Sequence, residues 1–158
     1  MTTRTAATLG SSSAFRRLYA LTLVALAISG FAQMPIFKRY YIADVPGLGW
    51  LAQYYVTHLI HYLGAALLLG LVAYAVTGWL AGRRQTRPRL TGSGLVRAVL
   101  LAGLIVTGVL RVIKNFSGVY MSADWIVFLD MLHIALVMAY IVAAIWAAVG
   151  KKRWTTQR

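Results

Sequence analysis

The sequence predicts an all-α membrane protein, a bundle of four transmembrane helices, and three observations support this. First, 60% of the 158 residues are apolar and only 12% are charged, which is about half the charged fraction of soluble domains. Second, a chain of this length forms a single domain, so the apolar excess does not belong to a second buried core. Third, the chain contains several long uncharged stretches, and a helix needs about 20 predominantly apolar residues to cross the hydrocarbon core.

Hydropathy and charge place the four helices along the chain. The predicted helices cover residues 16–36, 51–81, 91–114 and 125–149, after a flexible tail over residues 1–15. The first contains 20 residues without a charge, from Leu18 to Phe37. A cleaved secretory signal ending near Ala32 is the alternative for this segment, but its uncharged stretch exceeds the about 7–15 residues of a signal core. We therefore expect it to remain as a membrane span.

The second and third helices need separate arguments. The second is expected to begin near Leu51, because Pro46-Gly47-Leu48-Gly49 just before it is typical of a turn. The third has only 13 uncharged residues, from Ala98 to Leu110. It reaches the length of a span if Arg97 and Arg111 extend their charged ends to the interface.

Basic residues indicate the orientation. Of the 16 basic residues, 12 fall in the N-terminal tail, the connection between the second and third helices, and the C-terminus, while the opposite side carries all three acids. By the positive-inside rule both termini are then cytoplasmic, and the protein crosses the inner membrane several times in contact with lipid. Because topology accounts for the net charge of +13, we expect no nucleic-acid partner.

Histidines are the costly residues of the predicted spans. His61 on the second helix and His133 on the fourth lie in apolar surroundings, where an ionisable side chain marks function. At about 1.5 Å per residue, they lie about 31 Å and about 27 Å from the cytoplasmic ends of their helices. One imidazole from each of two helices at similar depth is what a b-type haem needs. Cysteine is absent, which excludes thiolate-held clusters and covalent haem attachment.

His58 is the alternative ligand on the second helix. It lies one turn further out than His61 and shares a helix face with it. In place of ligation, it could contact a haem propionate or belong to a quinone site. A single intramembrane histidine is more often a hydrogen-bonding residue between helices. Haem is favoured here because all three histidines of the chain lie in the outer part of two helices.

This pattern resembles the b-type cytochrome subunits of membrane-bound formate dehydrogenases, nickel–iron hydrogenases and related respiratory oxidoreductases. The resemblance extends from about Phe15 to Val149 and is carried by three motifs, Pro46-Gly47-Leu48-Gly49, His61-Tyr62-Leu63-Gly64-Ala65 and Asp130-Met131-Leu132-His133. Larger members of the family hold two haems, using a histidine on the first helix and a second one on the fourth. This sequence has neither, so the resemblance implies one haem b.

The function that the resemblance implies is electron transfer, without independent substrate chemistry. The haem would relay electrons between an extracytoplasmic redox subunit and a quinone. Arg111, Lys114 and Asp130 are candidates for contact with a quinone or a haem propionate, although Asp130 pairing with either cation is the structural alternative. Gly64, one turn from His61, would allow close approach of the macrocycle or of a neighbouring helix.

Two further functions stay open. The chain could be a haem-free membrane anchor or assembly subunit of a respiratory complex. It could also be a small proton-coupled transporter, in which intramembrane histidine and acid relay protons. The transporter is the less favoured, because only a weak two-plus-two arrangement of helices is visible in the sequence.

Overall fold

The structure, a computed structural model, describes residues 12–34, 36–81 and 88–156. The predicted N-terminal tail therefore lies outside the described residues as far as residue 11. So do five basic residues on which the predicted orientation depends, Arg4, Arg83, Arg84, Arg87 and Arg158.

Helices make up most of the described chain. They are α1 Ser13–Ala32, α2 Ile36–Arg39, α3 Tyr54–Ala81, α4 Gly92–Ile113 and α5 Ala123–Val149, with short 3-10 turns at Ile42–Asp44 and Gly49–Ala52. Four of them, α1, α3, α4 and α5, are long and apolar enough to cross a membrane. The prediction of a helical, multi-pass membrane protein is thus confirmed.

Local chemistry explains where the helices begin and end. Helix α1 begins before residue 16 because the Ser12 hydroxyl accepts a hydrogen bond from the Phe15 N–H at 3.1 Å, which caps the helix. In the same way, Thr91 accepts from the Gly94 N–H at 2.8 Å at the start of α4. Helix α3 begins at Tyr54, after the 3-10 turn over Gly49–Ala52.

The helices pair into two hairpins, α1 with α3 and α4 with α5, and the chain divides into two compact units accordingly. Leucine, isoleucine and valine side chains are largely exposed on the helices, whereas hydroxyl groups are buried. Thr22, Ser29 and Thr57 are at most 4% exposed in the first hairpin, and Thr107 is 5% exposed in the second. Small hydroxyl residues between helices and apolar ones outside are typical of membrane proteins.

A short clasp joins the beginning of α4 to the segment after α5. Strand β1 (Arg89–Leu90) pairs antiparallel with β2 (Thr155–Thr156). The Thr91 hydroxyl donates to the Arg153 carbonyl at 2.7 Å, and the Arg97 guanidinium lies 4.1 Å from the centre of the Trp154 ring. Arg97 is only 7% exposed, and its guanidinium donates to the Ser93 carbonyl at 3.1 Å and to the Lys152 carbonyl at 3.4 Å. Nothing in the sequence analysis predicted this clasp.

Candidate functional site

His61 lies against the first helix of its own hairpin. Its Nδ1 is 3.1 Å from the Ser29 hydroxyl oxygen. Ser29 itself is completely buried, and its hydroxyl donates to the Ala25 carbonyl one turn earlier, at 2.7 Å. In the tautomer that carries its proton on Nδ1, the imidazole donates to the Ser29 oxygen, and the hydroxyl keeps its own proton for the carbonyl. In that tautomer the lone pair of the imidazole is on Nε2.

The second hairpin repeats this arrangement with different residues. Nδ1 of His133 lies 2.7 Å from the Thr107 hydroxyl oxygen. The Thr107 hydroxyl oxygen also lies 2.8 Å from the Gly103 carbonyl, to which it can donate. Each predicted ligand histidine thus has its Nδ1 against a buried hydroxyl on the neighbouring helix. We call Ser29–His61 and Thr107–His133 the two hydroxyl–imidazole pairs.

A glycine follows each hydroxyl residue and lies beside the imidazole. A Cβ atom on Gly30 would lie 3.1 Å from Cε1 of His61, and one on Gly108 would lie 3.7 Å from Cε1 of His133. A normal carbon–carbon contact is about 3.5–4.0 Å. The first glycine is therefore required for the observed ring position, and the second is not.

One turn toward the connecting loop, a polar contact adjoins the first pair. Nδ1 of His58 lies 3.1 Å from Oε1 of Gln33, whose amide nitrogen donates to the Ser29 carbonyl at 3.3 Å. The His58 ring is stacked on Tyr54 and meets Tyr62 edge-on, with ring centres 5.1 Å and 4.3 Å away. His58 is thereby held by its own set of neighbours.

The equivalent contact in the second hairpin is charged. Nε of Arg111 lies 2.8 Å from Asp130, and Nζ of Lys114 lies 3.4 Å from the same carboxylate. The structural alternative for these three residues, that they pair with one another, is confirmed. Because two cations share one acid, the cluster keeps a net positive charge, and the side chains are between 16% and 35% exposed.

One turn away from the loop, a glycine meets a leucine in both hairpins. A Cβ atom on Gly64 would lie 3.1 Å from Cδ2 of Leu26. In the second hairpin the roles are exchanged, since a Cβ on Gly103 would lie 3.2 Å from Cδ1 of Leu136. Gly64 therefore lets α1 and α3 approach each other, which is one of the two uses predicted for it.

These contacts reveal an internal repeat. In each hairpin the polar partner lies four residues after the hydroxyl and three before the histidine, giving Ser29-Gly30-x-x-Gln33 with His58-x-x-His61 and Thr107-Gly108-x-x-Arg111 with Asp130-x-x-His133. Sequence reasoning missed Ser29 and Thr107. The matching hydroxyl–glycine pairs on the first and third spans were a signal that could have found them.

Comparisons with known proteins add no relative to this picture. No protein-family model matches the chain, and no curated protein or solved structure matches it either. Within the described residues, no three His, Asp or Glu side chains come together as a metal site.

Proposed function

We propose that this protein is a membrane-integral b-type cytochrome subunit with one haem, whose axial ligands are His61 and His133. The observation that carries the proposal is that each hairpin presents one imidazole in the same setting, with Nδ1 within hydrogen-bonding distance of a buried hydroxyl of its own hairpin. Ligand histidines in metalloproteins are held in this way, with the second ring nitrogen donating to a protein group. The setting of each histidine within its own hairpin therefore supports the proposal.

The residues around the histidines have definite parts in this proposal. A haem with two imidazole ligands has no open coordination position and transfers electrons without binding oxygen. His61 and His133 hold the iron, and Gly30 gives the His61 ring its place against α1. The net positive charge of Arg111, Lys114 and Asp130 suits a haem propionate or the head group of a quinone.

The repeat supports His61 as the ligand on α3, because His61 occupies the position that His133 has in the second hairpin, whereas His58 occupies that of Asp130. The Nδ1 of His58 donates to Gln33, and its ring packs between Tyr54 and Tyr62. The remaining ring nitrogen, Nε2, would accept a hydrogen bond from the hydroxyl of a quinol without any movement of the ring. We therefore assign His58 to the surroundings of the haem.

The proposed setting is respiratory, in the inner membrane. Both termini are assigned to the cytoplasm because most basic residues lie in the tails and the connection between the hairpins. The loops of the hairpins then face outward, toward an extracytoplasmic redox subunit, and the quinone is the mobile partner within the lipid bilayer. Substrate chemistry would reside in the partner subunit.

A haem-free anchor is the second candidate, and one observation favours it. The hydroxyl–imidazole pairs connect the two helices of each hairpin, and such bonds stabilise helix pairs by about 1 kcal/mol without any cofactor. A proton-coupled transporter has less support, because the four spanning helices run without the breaks typical of transporter sites.

The spectrum of the purified full-length protein tests the proposal. With haem supplied during expression, we expect b-type bands in the dithionite-reduced minus oxidised spectrum and one haem per chain in a pyridine haemochrome assay. His61→Ala and His133→Ala should lose the haem, while His58→Ala keeps it. Absence of these bands in protein prepared with excess haem, or bis-histidine spectra retained by His133→Ala, would overturn the proposal.

A further inference from the structure

The two hydroxyl–imidazole pairs indicate a role for the hydroxyl residues as well as for the histidines. We propose that Ser29 and Thr107 are positioning residues, which fix the tautomer and orientation of His61 and His133 and thereby set the strength of both iron ligands. This inference rests on the proposed haem function and names residues that the function alone does not require. The argument depends on hydrogen-bond direction, on burial and on the repeat.

Both hydroxyls lie where they can accept from an iron-binding histidine. Ser29 can donate to Ala25 at 2.7 Å and Thr107 to Gly103 at 2.8 Å, and each oxygen lies within 3.1 Å of the Nδ1 atom of its histidine. An imidazole that binds iron through Nε2 carries its proton on Nδ1. That proton then goes to the hydroxyl oxygen, while the hydroxyl donates its own proton to the helix carbonyl. Because this arrangement satisfies both hydrogen bonds of each hydroxyl at once, the pairs favour Nδ1–H, the tautomer whose Nε2 binds iron.

Burial makes these hydroxyls hard to replace. Ser29 is 0% exposed and Thr107 is 5% exposed, so water has little access to take over as the acceptor. Without the hydroxyl oxygen, the Nδ1–H group would lose this hydrogen bond in an apolar setting, where an unpaired polar group is unfavourable. The imidazole would then rotate or change tautomer to recover a partner, and either response moves Nε2 or removes its lone pair.

The repeat indicates that the buried hydroxyl is related to the histidine and is not an accident of packing in one hairpin. The two partners lie 32 residues apart in the first hairpin and 26 apart in the second. The neighbouring polar contacts differ, being neutral at His58 and charged at Asp130. Even so, a buried hydroxyl followed by glycine faces the imidazole in both hairpins. A common role of the two histidines explains why both hairpins have the buried hydroxyl although their other polar contacts differ.

A hydrogen bond from Nδ1–H makes Nε2 a stronger donor to the metal. A stronger donor stabilises Fe(III) over Fe(II), so losing the bond should raise the midpoint potential. Removing such a partner typically weakens metal binding by about 10–100-fold. We expect losses of this size in haem affinity for Ser29→Ala and for Thr107→Val.

The experiment compares these two variants with two controls in the full-length protein. Thr107→Ser keeps the hydroxyl and should restore the affinity and the potential. Thr22→Val removes a buried hydroxyl of α1 that donates to Leu18 at 2.8 Å and is bonded to no imidazole within the described part of the chain. It should leave both quantities unchanged.

The measurements are haem titration, redox potentiometry, and ¹⁵N NMR of histidine-labelled protein without haem. The NMR spectrum should show His61 and His133 as Nδ1–H tautomers, and each hydroxyl variant should alter the signal of its own histidine. Haem binding with unchanged affinity and potential in Ser29→Ala and Thr107→Val would overturn the positioning role alone. A wild-type protein that binds no haem would instead overturn the proposed function, and with it the role at the iron.

Discussion

Replacing the glycine beside each histidine with alanine should have opposite effects in the two hairpins. In Gly30→Ala the new Cβ atom would lie 3.1 Å from Cε1 of His61, whereas in Gly108→Ala it would lie 3.7 Å from Cε1 of His133. Carbon atoms in contact are about 3.5–4.0 Å apart. The His61 ring must therefore move by about half an ångström, while the His133 ring can stay in place.

The magnitude follows from two opposing terms. Alanine is more favourable than glycine in a helix by up to about 1 kcal/mol. Overpacking a close contact costs about 1–3 kcal/mol, and the His61 ring has little freedom to move because Ser29 holds its Nδ1 at 3.1 Å. We expect the free energy of unfolding to fall by about 0–2 kcal/mol in Gly30→Ala and to rise by up to about 1 kcal/mol in Gly108→Ala.

Reversible unfolding in detergent micelles measures both effects on the full chain. Under the proposed function, haem affinity should fall in Gly30→Ala and stay unchanged in Gly108→Ala, because only the first substitution displaces a ligand ring. The two glycines occupy equivalent positions in the repeat, so each variant serves as the control for the other. Equal changes in stability, or a greater loss in Gly108→Ala, would refute the reasoning.

Two further predictions concern other glycines. Gly94→Ala should open the clasp, because a Cβ atom there would overlap the backbone oxygen of Trp154. Hydrogen exchange at the amides between β1 and β2 should then accelerate. Gly92→Ala is the control and should leave that exchange unchanged, because Gly92 has open space around it. Gly64→Ala should destabilise the first hairpin by about 1–3 kcal/mol, because the new Cβ atom would crowd the side chain of Leu26. Adding Leu26→Ala should recover part of that loss. A double-mutant cycle that shows no coupling between the two sites would contradict this contact.

Much of the fold was predictable because span formation depends on sums along the chain. Hydropathy over about 20 residues decides whether a helix can cross a membrane, and no distant partner enters that sum. The ends of the helices depend on single side chains, and this is where prediction and structure differ by a few residues. Helix α1 begins at Ser13 because Ser12 caps it, and α3 begins only after a 3-10 turn that ends at Ala52.

The surroundings of the candidate site were only partly predictable. The pairing of Asp130 with Arg111 and Lys114 was one of two predicted uses, since opposite charges one turn from an interface attract each other in any register. The bond between His58 and Gln33 was not anticipated. It depends on the rotation of α1 against α3, which periodicity along one helix leaves undetermined.

The sequence by itself determined that this is a multi-pass helical protein and that its histidines are exceptional. An imidazole within an apolar span is unfavourable whichever helices pack against it, so the sequence alone is enough to identify it. Only the tertiary structure decided that His61 meets Ser29 and His133 meets Thr107, across 32 and 26 residues of chain. Those partners lie on neighbouring helices, and the packing of each pair selects which side chains face each other. A serine or threonine in a membrane helix gives no functional signal in the sequence. Its role as a hydrogen-bonding partner of histidine can be recognised only when the structure places a ring nitrogen within hydrogen-bonding distance of its hydroxyl.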